Sequence, residues 1–164
     1  MDIRHFFYDL LQSEFGLADS TAAIFSMLIK LFIVLIIAFV VYKFLTQLGQ
    51  RTVIRLTKNT KTHFDDYLID NGAFVNLSYI IVFLVVELAL PLVFTDYKIL
   101  EFYSEKLLKI LVIVNVIRLV RSILKSIKDF LKTLPLFADK PIDSYIQVVM
   151  IILWVFGVII IFSV

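Results

Sequence analysis

Cysteine is absent from the 164 residues, which excludes disulfides, thiolate metal sites and cysteine nucleophiles. Histidine is nearly absent, with His5 and His63 far apart in polar stretches. No HExxH, no glycine-rich phosphate loop and no GxSxG occurs, so nothing points to catalysis, a cofactor or a metal. Charge is scarce as well. Only 18% of residues are charged, against roughly 25% in a soluble domain. The net charge of +2 provides no global field toward nucleic acid. Asp2, Asp9 and Glu14 stand where a cleaved signal peptide would carry basic residues. There is no internal repeat and no low-complexity tract.

What remains is strongly apolar: 61% hydrophobic residues and a mean hydropathy of +0.97, the composition of an integral membrane protein. The reading is an all-α membrane protein with four transmembrane helices behind a short interfacial helix. Residues 1–19 form the amphipathic N-terminal segment and 20–164 the transmembrane region, with spans at about 22–46, 73–94, 104–132 and 144–164. In the N-terminal segment Ile3, Phe6, Phe7, Leu10 and Leu11 share one helical face. That face lies either in the membrane interface or against another subunit.

Two charges interrupt the apolar runs. Lys30, a turn or two inside the outer boundary of span one, either snorkels or has a functional role. Glu87 sits about two turns from the end of span two, which closes with Pro91 and the polar Thr95-Asp96. A carboxylate there is protonated, paired with a neighbouring helix, or reaches the outer interface. Span three is apolar in its first half apart from Lys109 and amphipathic in its second. Arg118, Arg121, Lys125, Lys128 and Lys132 step by three, four, three and four along one stripe, with Val116, Leu119, Val120, Ile123, Leu124, Ile127 and Leu131 opposite. Span four carries no charge between Ser144 and Val164, and Pro135 and Pro141 bracket the turn before it.

Orientation follows from where the basic residues gather. Arg51, Arg55, Lys58 and Lys61 follow span one; the stripe Arg118–Lys132 and Lys140 follow span three. The N-terminal segment and the loop at 95–105 are acidic instead. The positive-inside rule then puts the N-terminus outside and both basic loops in the cytoplasm, where these cations meet anionic headgroups. Only about fifteen residues, roughly 22 Å, separate Tyr103 from Arg118, against a hydrocarbon core of about 30 Å. Span three is therefore mismatched to the bilayer, and a helix that favours thin membrane gains when stretch thins it.

The polar segment 57–72 contains a capping box. The Thr62 hydroxyl can accept from the Asp65 amide while the Asp65 carboxylate reaches back, and Asn71-Gly72 stops the short helix that follows. The stretch Lys61-Thr62-His63-Phe64-Asp65-Asp66-Tyr67-Leu68 resembles the miniconductance branch of the small-conductance mechanosensitive channels of bacterial inner membranes. So does Lys140-Pro141-Ile142-Asp143-Ser144-Tyr145-Ile146-Gln147-Val148-Val149, the more specific of the two. The resemblance covers roughly Arg51 onward. It implies a homo-oligomer, typically a heptamer, that releases ions on osmotic downshock.

That family lines its pore with a Gly/Ala-rich helix followed by a cytoplasmic β-rich domain. Neither occurs within residues 1–164, whose glycines are Gly16, Gly49, Gly72 and Gly157. The resemblance thus implies a chain cut before its pore, with no pore residue of its own and only the peripheral, lipid-facing helices. Two other readings stay open. Arg118 and Arg121 with Glu87 as countercharge could belong to a four-helix voltage sensor, and a non-conducting membrane scaffold fits the composition too.

Overall fold

The computed structural model describes residues 6–14, 16–57, 64–137 and 140–164, with 50–57 described in backbone only. Among the described residues the elements are helical throughout: α1 (Phe6–Ser13), α2 (Asp19–Thr57), α3 (Phe64–Asp70), α4 (Ala73–Val93), α5 (Lys98–Lys132) and α6 (Ile142–Ser163), with a single 3₁₀ turn at Pro135–Phe137. Three helices are long and apolar enough to cross a membrane: Asp19–Gly49 within α2, Ala73–Val93 and Ile142–Ser163. Helix α5 is long enough but carries too many charges to belong with them.

The long helices stand in a row. Helix α2 packs on α4, α4 on α5 and α5 on α6, each against its neighbour in the chain. No contact of comparable extent joins α6 to α2 or α4 among the described residues. A closed bundle would turn its apolar stripes inward. This row instead leaves Phe32, Phe39, Leu88, Phe102, Phe156 and Phe162 more than half exposed, as suits lipid contact.

In lipid, apolar contact alone gives helices little reason to associate, because lipid tails are as apolar as leucine; fitted packing and interhelical hydrogen bonds hold them. Helices α4 and α5 use both, at opposite ends. Where α4 ends and α5 begins, Leu90, Val93, Phe94 and Leu108 form a buried cluster, on which Met27 and Leu31 of α2 pack. Where α4 begins and α5 ends the contact is polar. Helix α2 meets α4 through a Tyr42–Tyr79 ring stack, centroids 4.9 Å apart, and through Gly49, where an added Cβ would touch Phe74 at 3.4 Å.

Helix ends differ from the sequence reading in instructive ways. Helix α2 continues to Thr57, beyond the expected span end near 46, and α5 starts at Lys98 rather than 104. No breaker separates Lys98 from Ser104, and the Lys98–Glu101 pair, 2.9 Å apart, ties the first turn. The end of α4 is close to the expected 94, with Pro91 inside the last turn. The helix runs on to Val93, and the Phe94 amide donates to the Leu90 carbonyl at 2.9 Å. The missing Pro91 N–H leaves the Glu87 carbonyl without its usual i+4 donor. Gly72 does act as the stop, at φ +73°, a left-handed conformation that a side chain would strain.

Helix α1 folds back onto the start of α2. Gln12 Nε2 donates to Asp19 Oδ1 at 2.6 Å, and the Tyr8 hydroxyl donates to the same oxygen at 3.5 Å. Partial desolvation, then the charge and hydrogen bond of Asp19, raise the Tyr8 phenol above its ordinary pKa, so it stays a donor.

Candidate functional site

Side chains with chemistry gather at the start of α4, the end of α5 and the start of α6, in two seams, one where α5 meets α3 and α4 and one where it meets α6. The first joins α5 to α3 and α4. Asn71 Nδ2 donates to Asp129 Oδ2 at 3.0 Å and lies 3.2 Å from Ser126 Oγ. Ser126, fully buried, donates to the carbonyls of Tyr67 and Ser122, each at 2.8 Å. Asn76 Nδ2 donates to Ser122 Oγ at 2.8 Å. Higher up the same face Asn115 is buried and donates to the Leu111 carbonyl at 2.8 Å. This seam lies apart from the cations that dominate the charge pattern of α5. Its signal was Asn115, Ser122, Ser126 and Asp129, spaced by seven, four and three on one helical face.

The second seam joins α5 to α6. At the start of α6 Asp143 receives two lysines, Lys132 Nζ at 2.5 Å and Lys128 Nζ at 3.2 Å. Four turns along, Gly157 is buried against Ile117; a Cβ there would overlap the Ile117 Cδ1 methyl and lie 3.3 Å from Cγ1. Between these points a groove of about 430 Å³ opens, lined by Arg121, Lys125, Lys128, Asp143, Gln147 and Trp154 with Ile146 and Met150. Immediately beyond it along the seam lies a second groove of about 210 Å³, wholly apolar, from Val120 and Leu153 to Val112 and Ile160.

The basic stripe therefore does not act as one unit. Lys128 and Lys132 clamp the start of α6, Arg121 and Lys125 face the groove, and Arg118 is exposed above them. The apolar positions expected opposite the stripe are half-exposed or exposed, not core.

Register fixes the depth of the other charges. The Asn76–Ser122 bond and the Leu90–Leu108 cluster set α4 antiparallel to α5, with Arg118 opposite Ile80 and Glu87 opposite Leu111. Glu87 and Arg118 then stand seven residues apart along the axis, about 10 Å. Glu87 is half-buried and has no ion-pair partner among the described residues. Lys30 is half-buried in α2 and sits away from both seams.

Of the polar loop, Phe64, Asp65 and Asp66 form the first turn of α3, and Phe64 packs edge-on against Phe130, centroids 5.7 Å apart. Thr62 and Lys58 lie outside the described residues, as do the side chains of Arg51 and Arg55. Among the described residues no group of histidine, cysteine or carboxylate side chains could hold a metal.

No family model matches this chain, and no curated protein or solved structure matches it.

Proposed function

We propose that this chain is the peripheral, tension-sensing transmembrane part of a mechanosensitive ion channel that releases ions on osmotic downshock. It sits in a bacterial inner membrane as one of several identical subunits, a heptamer by the resemblance, with the N-terminus outside. Helix α5 is the fourth span. The observation that carries this reading is the depth of Arg118. Opposite Ile80, it lies about 10 Å inside the inner end of α4, whose apolar length of 21 residues matches a bilayer of about 30 Å. Between Lys109 and Arg118 only eight residues of α5 are free of charge, about 12 Å. Holding an arginine that deep is unfavourable by roughly 2.5–3.5 kcal/mol at the bilayer centre and less near the interface, and thinning the membrane relieves it. Tension thins the membrane, so it favours the arrangement that α5 prefers.

The open row of helices supports the same reading, since it leaves large apolar side chains exposed along α2, α4, α5 and α6, as lipid-facing helices require. A voltage sensor is less well supported. It needs the arginines beside their countercharge, and Glu87 stands two turns from Arg118.

The test is pressure-ramp recording from patches expressing the whole open reading frame that encodes this chain. Pressure-gated current is expected, with no such current from residues 1–164 alone. Arg118→Gln with Arg121→Gln lengthens the apolar stretch of α5 and shifts the opening threshold. A whole reading frame without pressure-gated current would overturn the channel reading. An unchanged threshold at normal expression would reduce both arginines to topology signals.

A further inference from the structure

We propose that the α5–α6 seam holds one anionic phospholipid of the cytoplasmic leaflet, its phosphodiester between Arg121 and Lys125 and an acyl chain in the apolar groove that begins at Val120. The assignment rests on the orientation proposed above and not on channel activity. Its ground is the order of chemistry along one continuous seam. Arg121, Lys125 and Lys128 line the inner groove against a single carboxylate, Asp143, which Lys128 and Lys132 already hold. Arg121 and Lys125 are exposed, one helical turn apart, and neither has a carboxylate partner among the described residues. Two cations at that spacing suit a phosphate, which the guanidinium can bind through two parallel N–H donors.

The change of character is abrupt. Val120 and Leu153 line the apolar groove, while Arg121 and Trp154, their next neighbours in sequence, line the basic one. An inorganic anion would use the cations and leave the apolar groove empty. A lipid uses both, head inward and chain toward the membrane centre. The excess of cations selects an anionic headgroup over a zwitterionic one. Gly157 shapes the apolar groove, because it brings the α6 backbone against Ile117 in the groove floor.

The test is native mass spectrometry of residues 1–164 in non-ionic detergent, titrated separately with phosphatidylglycerol, phosphatidylethanolamine and inorganic phosphate. The expected result is one tightly held phosphatidylglycerol and little phosphatidylethanolamine or phosphate. Arg121→Gln with Lys125→Gln should lower phosphatidylglycerol affinity by about tenfold or more. Val116→Trp, which fills the apolar groove, should lower it with both cations in place. Helical circular dichroism confirms folding, and Lys125→Gln alone provides the reading if the double variant does not fold. Phosphatidylglycerol retention unchanged by the cation substitutions would overturn the proposal. So would equal retention of both lipids, or binding of inorganic phosphate through Arg121 and Lys125 without lipid. Failure of the membrane orientation would show separately, in the labelling pattern described at the end of the Discussion.

Discussion

Gly157→Leu should separate α6 from α5. Even the first carbon of the new side chain would overlap Ile117 Cδ1, and the remaining atoms would enter the floor of the apolar groove. Helix α6 has no other extensive contact among the described residues, so nothing compensates for a loss here. Gly157→Ala is the graded version. Its Cβ meets the mobile end of Ile117, which can rotate at the expense of its packing, and overpacking of that kind costs about 1–3 kcal/mol. Ile117→Val removes the obstructing methyl and should recover most of the loss when combined with Gly157→Ala. Unfolding by sodium dodecyl sulfate, followed by Trp154 fluorescence, measures all three, since Trp154 is the only tryptophan and lies in the seam. Equal stability of Gly157→Leu and the parent would mean that α6 does not pack on α5 here.

The second large effect is expected at Asn71. Its amide ties the α3–α4 turn to Asp129 and Ser126 of α5, beside the Ser126–Tyr67 bond from α3. Asn71→Ala leaves the Asp129 carboxylate without that donor and should destabilise by about 1.5–3 kcal/mol, the range for a hydrogen bond to a charged group. Asn71→Asp should do more harm, because it sets two carboxylates against each other where the donor was 3.0 Å from the acceptor. Adding Asp129→Asn to Asn71→Asp exchanges donor and acceptor and should restore most of the loss. That recovery separates a specific hydrogen bond from a generic change at a turn. Hydrogen exchange in α3 is the local readout: faster in both single variants, near parent rates in the exchanged pair.

The long apolar helices were legible in the sequence because each run of some twenty apolar residues admits few alternatives in or out of a membrane. The stop at Gly72 was legible for a local reason too, since a left-handed backbone favours glycine. The end of α4 was legible to within a residue, because the proline falls in its last turn and removes a single hydrogen bond, after which Thr95 and Asp96 end the apolar run. The polar seam was hidden because its partners are distant in sequence. Asn71 and Asp129 are 58 residues apart, and only the antiparallel register of α4 on α5 brings them together. The basic stripe was visible as a periodicity, yet its division was not. Which lysines hold Asp143 and which face the groove depends on where α6 returns along α5, which helical spacing within α5 does not encode.

Everything proposed for Arg118 and for the lipid seam requires α5 to cross the bilayer with its basic end inside. The chain contains no cysteine, so single cysteines introduced at Phe102 and Leu134 report without background. Phe102 is exposed near the start of α5, and Leu134 follows its last turn. Labelling intact cells with a membrane-impermeant thiol reagent should modify Phe102→Cys alone, and Leu134→Cys should react only after the cells are opened. Reaction of both positions in intact cells, or of neither, would place the two ends of α5 on one side of the membrane and contradict a fourth span.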